Sequence, residues 1–312
     1  MAARQMRAVG RVKEVAVMKN KIKATRTRFS PVTVFMLVVL VLYSLSLLLL
    51  FVWAFFTAFK NNRFDFRTNS YGFPETWEWQ NFVTVFTKFR VTVNTRHTTV
   101  GMGEMYLNSF LYAVGCAFFN TLVPCVTAYL CARFHYKFSK IVYNTVLIVM
   151  VIPVVGSLPS ELDMAMRLGL HDHIWGMWVM KANFLGIYFL VFYAHFKGMP
   201  DAYTEAAKID GAGNMSILLR IALPLARNTF FTVMLIYFIT YWNDFQTARL
   251  YVPSRPTISL GMYFMSITPD GDMSSVPMRC AAAFMVLLPI LVVFLCFQQR
   301  LLGNITVGGL KG

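Results

Sequence analysis

Apolar runs of about twenty residues dominate this chain and limit what it can fold into. They cover 34–59, 106–131, 141–158, 174–196, 229–246 and 279–298. An α-helix needs about twenty apolar residues to cross the hydrocarbon core of a bilayer, whereas helices and strands of soluble proteins alternate apolar and polar positions. The runs therefore predict an all-α polytopic membrane protein with about six transmembrane helices.

The composition excludes a soluble globular domain. Of the 312 residues, 57% are hydrophobic and only 14% are charged, against roughly 25% charged residues in ordinary soluble domains. A soluble fold of this size would leave too much apolar surface in contact with water. The third and fifth runs are short or interrupted, and Pro153, Gly156 and Pro159 break the third, so we expect the ends of these two spans to be the least regular.

Positive charge is concentrated before the first run. Nine Lys and Arg residues lie between Arg4 and Arg28, with Glu14 as the single acid among them. Such clusters hold the adjacent end of a membrane protein in the cytoplasm, and contact with anionic lipid headgroups is the functional variant of this interpretation. No aromatic-interleaved basic motif accompanies the net charge of +15, so it does not predict a nucleic-acid partner.

The runs divide the chain into a basic tail at 1–33, a transmembrane domain at 34–298 and a second tail at 299–312. With the N-terminus inside, an even number of spans places both tails in the cytoplasm. The loops 132–140 and 197–228 lie on that same side.

The remaining loops, 60–105, 159–173 and 247–278, lie on the opposite side. The last two together carry three basic residues against five acids, which agrees with the positive-inside rule. The first is richer in Lys and Arg, but long loops are translocated with less regard to their charge. The charge pattern therefore favours a multi-pass protein with both termini in the cytoplasm.

The sequence carries no catalytic or metal-binding pattern. His171 and His173 flank Asp172, but a metal site needs further ligands and no spacing supplies them. The five cysteines lie in or beside the apolar runs without paired spacing, which favours small buried side chains over disulfides or metal ligands. No glycine-rich loop exists to hold phosphate, so we expect this chain to be no enzyme and to bind neither metal nor cofactor.

One polar segment interrupts the second half of the chain, between the fourth and fifth runs. It contains "YTEAAKIDGAGNMSILLRIALPLAR", from Tyr203 to Arg227. Gly211 and Pro224 punctuate it, because glycine commonly ends a helix and proline disturbs one. The loop 197–228 is therefore predicted to form a helix–turn–helix.

The first of these helices has recognisable ends. Pro200 suits the first helical position, and Asp201 suits the positive end of the helix dipole. Glu205 and Lys208 are three residues apart and can pair on one side. Gly211 then ends the helix.

Each predicted helix has an apolar face. In the first helix the face consists of Ala202, Ala206 and Ile209. In the second, which Asn214 can cap, the face consists of Met215, Leu218, Leu219 and Ala222. Periodicity leaves two interpretations open: an amphipathic hairpin lying among lipid headgroups, or a docking element that inserts a helix into the groove of a soluble partner.

The spacing within the segment resembles the signature loop of permease subunits of binding-protein-dependent ABC importers. Glu205-Ala206-Ala207 is followed by Gly211 after three residues, by Ile221 after nine more, and then by Leu223-Pro224. This fills every position of the pattern EAA-x3-G-x9-I-x-L-P. The resemblance favours the docking interpretation.

Further segments resemble carbohydrate-uptake permeases of this family. They are Leu158–Gly176, Tyr241–Met265 and the final "ITVGGLKG", which is similar to the C-terminus of the second permease subunit of maltose-type importers. The tail 1–33 and the loop 60–105 carry no such resemblance.

The resemblance implies a permease subunit in a prokaryotic cell membrane, taking up a carbohydrate, in particular an oligosaccharide. Its partners would be a second permease of different sequence, two cytoplasmic ATPases that bind ATP and Mg, an extracellular solute-binding protein, the sugar and membrane lipid. ATP-driven closure of the two ATPases would pull on the loop helices and switch the pore between two states.

The resemblance assigns ATPase coupling to Glu205, Ala206, Ala207, Asp210, Gly211, Ile221 and Pro224. Glu205 would pair with a basic or polar group of the ATPase, and the two alanines would let the helix sit deeply in its groove. Gly211 would set the angle between the helices, while Ile221 and Pro224 would transmit movement to the fifth span.

Two further sets of residues are candidates for function. In maltose-type relatives the C-terminal tail reaches between the two ATPases, which implies the same contact for Gly308, Gly309, Leu310 and Lys311. Tyr237, Tyr241, Trp242 and Asn243, with Asp244 beside them, combine aromatic faces with polar groups near the end of the fifth run. They predict either a translocation pathway or an interfacial aromatic anchor.

The main alternative to an ATP-driven importer is a secondary transporter driven by an ion gradient. That class predicts paired acids within spans or inverted repeats, and the sequence contains neither. A membrane-embedded enzyme would need paired catalytic groups on facing helices, which are also lacking.

Overall fold

The computed structural model describes residues 30–61, 65–93, 98–134, 136–152, 156–267 and 271–307. The basic cluster before Phe29 and the tail Gly308–Lys311 lie outside the described residues, so their predicted roles stay predictions.

Helices form most of the described structure. In chain order they are α1 Pro31–Ala58, α2 Asp65–Thr68, α3 Gln80–Lys88, α4 Met102–Arg133, α5 Lys137–Val151, α6 Leu158–Arg167, α7 Ile174–Lys181, α8 Ile187–Lys197, α9 Ala202–Ile209, α10 Asn214–Ile217, α11 Leu223–Leu225, α12 Arg227–Asn243, α13 Gln246–Tyr251, α14 Ile258–Ile267 and α15 Val276–Val307. A π-helical turn covers Leu218–Ala222 and a 3₁₀ turn covers Gly271–Ser274. The all-α prediction is confirmed.

The described part of the chain has one small sheet. Strands β1 Arg90–Val93 and β2 Thr98–Gly101 pair antiparallel, with Arg90 opposite Gly101. This ribbon lies in the predicted loop 60–105 and leads directly into α4.

The chain divides into two compact units, Met1–Ala54 and Phe55–Gly312. In the first unit, α1 is apolar on every side and its side chains from 31 to 52 are exposed. Two of its hydroxyl groups bond within the helix: Ser44 donates to the carbonyl of Leu40 at 2.8 Å and Ser46 to that of Tyr43 at 2.7 Å. A helix that exposes apolar groups all round suits lipid.

Helix α4 is the centre of the second unit. Helices α5, α7, α8, α12 and α14 all pack against it. Its buried positions include small side chains such as Ala113, Cys116, Ala117 and Ala128, which let neighbouring helices approach closely. Gly115 lies beneath Trp178 of α7, whose indole N–H donates to the carbonyl of Leu111 at 3.0 Å.

Two apolar clusters follow the length of α4. The first surrounds its N-terminal half and joins it to α12, α14 and α15. The second surrounds its C-terminal half and joins it to α8 and to the segment that begins α12. The five cysteines are free thiols, and Cys116 and Cys125 are buried within these clusters.

Three described helices are long and apolar enough to cross a membrane, namely Pro31–Ala58, Met102–Arg133 and Val276–Phe297. A fourth span results if Asn214–Leu225 and Arg227–Asn243, which meet at a bend of 72°, are counted together. The predicted total of about six therefore stays a prediction.

The third and fourth predicted spans differ from simple helices. Helix α5 has only 15 residues and ends before 153–155, which are outside the described residues. The predicted span 174–196 consists of two helices, α7 and α8, separated by 182–186. Gly186 in this break has a φ of +148°, a conformation that glycine accepts readily.

We predict that Gly176→Ala lowers the stability of the protein by about 1–3 kcal/mol, the usual cost of overpacking. A Cβ atom at this position of α7 would lie 2.0 Å from the backbone carbonyl oxygen of Leu170, which cannot move aside as a flexible side chain could. Thermal unfolding of the detergent-purified protein measures the loss. Gly103→Ala in α4 is the control, because its nearest contact would be Phe86 at 4.0 Å. Equal unfolding temperatures for the two variants would contradict the prediction.

Candidate functional site

The polar segment folds into a hairpin of short helices, which we call the hairpin (residues 199–226). Its first helix, α9, ends in a Schellman motif: Gly211 has a φ of +78°, its N–H donates to Lys208 O, and the Ala212 N–H donates to Ala207 O at 2.9 Å. This motif satisfies the last carbonyls of a helix and needs a left-handed residue. The glycine therefore sets the turn between the two arms of the hairpin.

The starts of the two arms differ from prediction by one or two residues. Helix α9 begins at Ala202, so Pro200 precedes the helix and Asp201 is its N-cap residue. The second arm begins at Asn214, with Gly213 rather than Asn214 at the N-cap. Neither cap residue makes a side-chain hydrogen bond to its helix, and the Asp201 carboxylate bonds elsewhere.

The second arm widens before its proline. The turn Leu218–Ala222 is π-helical, and the N–H of Leu223 donates to the carbonyl of Leu218. Pro224 has no N–H and its ring would clash with the carbonyl four residues earlier, so the wider turn accommodates it. The chain then bends by 72° into α12. Half-buried Ile221 and exposed Pro224 therefore lie at this joint.

Exposure separates the signature residues into two groups. Glu205, Ala206 and Asp210 are exposed, whereas Ala207 is buried against the protein itself. The predicted apolar stripe of α9 faces outward, since Ile209 is 86% exposed. This orientation leaves Ala206 free to contact another surface.

The predicted apolar face of the second arm is divided in the same way. Leu218 and Ala222 are buried, whereas Met215 and Leu219 are exposed. Together with the first arm, this produces an exposed apolar surface that we call the outer face, consisting of Tyr203, Ile209, Met215 and Leu219.

A basic side chain anchors the start of the hairpin. Arg133, the last residue of α4, forms an ion pair with Asp201 and donates a second hydrogen bond to the carbonyl of Met199. Glu205 and Lys208 do not form the predicted ion pair within the part of the chain that the structure describes. They line a cavity of about 140 Å³ beside Arg133 instead.

A second polar cluster lies between α4 and α12. The Asn120 amide donates to the hydroxyl oxygen of Tyr241 at 2.6 Å, and the Tyr112 hydroxyl donates to the Asp244 carboxylate at 3.2 Å. The Nζ atom of Lys181, at the end of α7, lies 5.9 Å from the centre of the Tyr241 ring. Tyr237 stacks on Tyr241, and Tyr188 packs against Tyr237. We use the term polar cluster for these two tyrosines, Tyr188 and Tyr237, and the five residues named above.

The four predicted pathway residues do not all join this cluster. Tyr237 and Tyr241 do, with their rings stacked at 6.0 Å. Trp242 is buried on another side of α12, where its indole N–H donates to Val286 O of α15 at 3.2 Å. The amide of exposed Asn243 donates to Ile239 O of its own helix at 2.8 Å. The prediction grouped these four residues because they are close in sequence, but their side chains point in different directions around α12.

Sequence analysis missed Asn120, Tyr112 and Lys181. Two of them carry a signal, because Asn120 and Lys181 interrupt the apolar runs 106–131 and 174–196. A polar or charged residue inside a span commonly faces the protein interior or a cavity.

The polar cluster lies deep along the helices. Lys181 precedes α8, whose 11 residues rise about 16 Å at 1.5 Å each. Asn120 lies 13 residues before the end of α4 and Tyr241 lies 14 residues after the start of α12, distances of about 20 Å along each axis. For α8, α4 and α12, the distance is measured from the end of the helix that adjoins the hairpin. The cluster thus lies well inside the helix bundle, more than about 15 Å from the hairpin.

The motif His171-Asp172-His173 has structural contacts. The His171 Nε2 atom lies 3.1 Å from the carbonyl oxygen of Leu250, and the Asp172 carboxylate accepts a hydrogen bond from the N–H of Ser254 at 2.8 Å. No group of three or more metal-ligating side chains occurs among the described residues.

Comparison with known proteins places these features in a family. The model of the family "Binding-protein-dependent transport system inner membrane component" matches residues 124–303, which is more than half of the chain. This range contains the whole hairpin.

Two relatives extend the similarity. The diacetylchitobiose uptake system permease protein NgcG of Streptomyces coelicolor is 24% identical over 274 residues, covering 86% of each chain. The maltodextrin transport system permease protein MdxG of Bacillus subtilis is 26% identical over 222 residues, covering 66% of this chain and 75% of the relative. The fold is similar to a chain in the crystal structure of a bacterial ABC transporter involved in the import of the acidic polysaccharide alginate, with a TM-score of 0.69, 18% identity and coverage of 85% of this chain and 95% of that one.

We predict that Tyr241→Phe destabilises the protein by about 1–3 kcal/mol, because it leaves the buried Asn120 amide without its partner. Thermal unfolding in detergent measures the change. Adding Asn120→Leu should recover much of the loss, since removing both partners of a buried hydrogen bond is nearly neutral. Tyr237→Phe is the control, because its hydroxyl has no hydrogen bond among the described residues. An unfolding temperature for Tyr241→Phe equal to that of the control would contradict the prediction.

Proposed function

We propose that this chain, which belongs to the family of binding-protein-dependent transport system inner membrane components, is a permease subunit of an ATP-driven importer of carbohydrate. The hairpin carries the proposal: it combines the full signature spacing with an exposed apolar face at the end of a membrane-spanning bundle. The substrate class is supported by relatives whose names specify uptake of diacetylchitobiose and maltodextrin, and we infer an oligosaccharide.

The outer face of the hairpin would dock into a groove of a cytoplasmic ATPase. Tyr203, Ile209, Met215 and Leu219 are large apolar side chains on a segment that also carries Glu205, Lys208 and Asp210. An apolar patch with charged residues around it is typical of a protein interface. A helix resting in headgroups alone would not need small Ala206 exposed between larger neighbours, whereas close approach to a partner would.

In this proposal some signature residues contact the ATPase, and others hold the hairpin in shape. Glu205 and Ala206 are exposed and would contact the ATPase. Buried Ala207 would instead let α9 lie close to its own protein. Gly211 would fix the turn between the arms through its left-handed backbone.

Movement would pass from the hairpin to the bundle through the second arm. Ile221 and Pro224 lie at the 72° bend into α12, and α12 packs along α4. Closure of the ATPases would therefore change the relation of these helices and favour one of two states of the pore.

The assembly would contain a second permease of different sequence, two ATPases holding ATP and Mg, and an extracellular solute-binding protein. Both termini would lie in the cytoplasm of a prokaryotic cell, as the basic N-terminal cluster suggests. The tail Gly308–Lys311 would reach the ATPases.

We predict that Glu205→Lys and Ile209→Glu each abolish co-purification of the ATPase and ATP-driven uptake. Both side chains are exposed, so the changes should leave the fold intact. The measurements are pull-down of the ATPase from detergent extract, and uptake into proteoliposomes that contain ATP, with loaded binding protein outside.

The control is Tyr71→Glu, which introduces the same side chain as Ile209→Glu in the predicted external loop. Tyr71 is 90% exposed. It should retain the ATPase. Uptake driven by an ion gradient without ATP would support a secondary transporter and refute the proposal. Normal ATPase binding by both hairpin variants would refute docking through the outer face.

The polar cluster would form part of the translocation pathway. Four tyrosine rings, an amide, a carboxylate and an ammonium group lie together inside the helix bundle, and at membrane depth such polar groups are costly unless they serve a cavity. The break 182–186 lies beside them, and non-helical backbone at membrane depth is tolerated where it lines a cavity. Aromatic faces and hydrogen-bonding groups are also what a sugar ring requires.

We predict that Lys181→Met lowers uptake about tenfold or more, the equivalent of one hydrogen bond from a charged group, while the ATPase still co-purifies. Lys197→Met is the matched control, because Lys197 lies over the ring of Tyr193 at 5.7 Å but at the far end of α8. Equal uptake by the two variants would exclude Lys181 from the pathway.

A further inference from the structure

We propose that Arg133 is a positioning residue that ties the ATPase-docking helix α9 to α4, so that the hairpin moves two helices of the bundle and not one. This inference rests on the proposed function, since it assumes that the hairpin receives force from an ATPase. It concerns a residue outside the signature spacing.

The Arg133 side chain is largely buried and bonds to two groups at the start of the hairpin. Its side chain is only 10% exposed, although it ends the long helix α4. One guanidinium nitrogen pairs with the Asp201 carboxylate and another donates to the carbonyl of Met199. Asp201 in turn begins the hydrogen-bond ladder of α9, because its carbonyl accepts from the N–H groups of Thr204 and Glu205 at 2.9 and 3.0 Å.

The two Arg133 bonds are the side-chain hydrogen bonds that join the hairpin to the rest of the protein. Among the described residues, no other side-chain hydrogen bond connects 199–226 to residues outside that range. Arginine suits such a link, because its planar guanidinium group holds two acceptors in a fixed geometry.

Packing cannot replace this link at the first arm. Within α9 only Ala207 is buried, and Glu205 and Lys208 line a cavity of about 140 Å³ together with Tyr129 and Phe134. Such a space holds several water molecules at about 30 Å³ each. The Arg133 Nε and Thr204 hydroxyl groups are buried near it and make no hydrogen bond within the described residues. The ion pair is therefore the direct polar link through which force on α9 can reach α4, beside the covalent chain and the second arm.

Both connections of the hairpin lead to helices that contribute to the polar cluster. The second arm bends into α12, which carries Tyr241, while Arg133 terminates α4, which carries Asn120. These two side chains share a hydrogen bond of 2.6 Å. With both connections intact, α4 and α12 move together; with the ion pair broken, only α12 is driven.

The test uses the complete transporter in proteoliposomes, with the saccharide that its binding protein delivers as the probe. Asp201→Asn removes the charge of an exposed carboxylate and keeps its shape. We expect the amount of sugar imported per ATP hydrolysed to fall at least about fivefold, the lower range of coupling between distant sites. ATPase co-purification and basal ATP hydrolysis should stay within twofold of wild type by the same estimate, because the outer face is unchanged.

Matched variants separate positioning from general damage. Asp201→Glu keeps the ion pair and should retain the wild-type ratio, whereas Arg133→Met should lose it. Asp163→Asn breaks the exposed Asp163–Arg167 pair of α6, which has an N–O distance of 2.7 Å, and should leave the ratio unchanged.

Other results would overturn either the role of Arg133 or the proposed function. A wild-type ratio in Asp201→Asn overturns the inference, even if Arg133→Met loses the ATPase or fails to accumulate, because Arg133 would then act in folding only. An equal loss in Asp163→Asn also overturns it. Failure of the wild-type complex to bind the ATPase or to use ATP would refute the proposed function instead.

Discussion

Close packing along α4 is the interaction on which the rest of the second unit depends. In lipid, helices gain little from hiding apolar surface, so they associate where small side chains let them approach and where polar groups can bond. Helix α4 offers both: buried alanines and cysteines along its length, and polar side chains such as Asn108, whose amide donates to Pro256 O at 3.2 Å. At least five helices pack against this surface.

The two ends of α4 differ in their contacts with neighbouring segments. At one end, the Ser109 hydroxyl of α4 accepts a hydrogen bond from the N–H of Ile258 at 2.6 Å and fixes the start of α14. At the other end, the two arms of the hairpin differ: Leu218 and Ala222 of the second arm are buried in the second apolar cluster, whereas α9 of the first arm buries only Ala207. The sparse packing of α9 suits a moving element, since densely packed interfaces resist displacement.

Sequence patterns predicted α1, α4 and α15 well, because a helix surrounded by lipid needs only length and apolar composition. They predicted the turn at Gly211 for an equally local reason, the glycine that a Schellman motif requires. They did not predict the division of 174–196 into two helices, although Lys181, Asn183 and Gly186 interrupt its apolar composition at the break. Nor did they separate Trp242 from Tyr241, because adjacent residues on a helix point about 100° apart and only neighbouring helices define which direction faces the cluster.

The sequence alone determined that the chain spans a membrane and where the signature loop lies, because these follow from composition and spacing along one chain. Only the tertiary structure decided that Asn120, Lys181 and Tyr241 meet, and that Arg133 holds Asp201 across 68 positions. Such contacts depend on how separate helices pack. The energy of an isolated side chain is similar in many arrangements, and its partner is chosen by the fold as a whole.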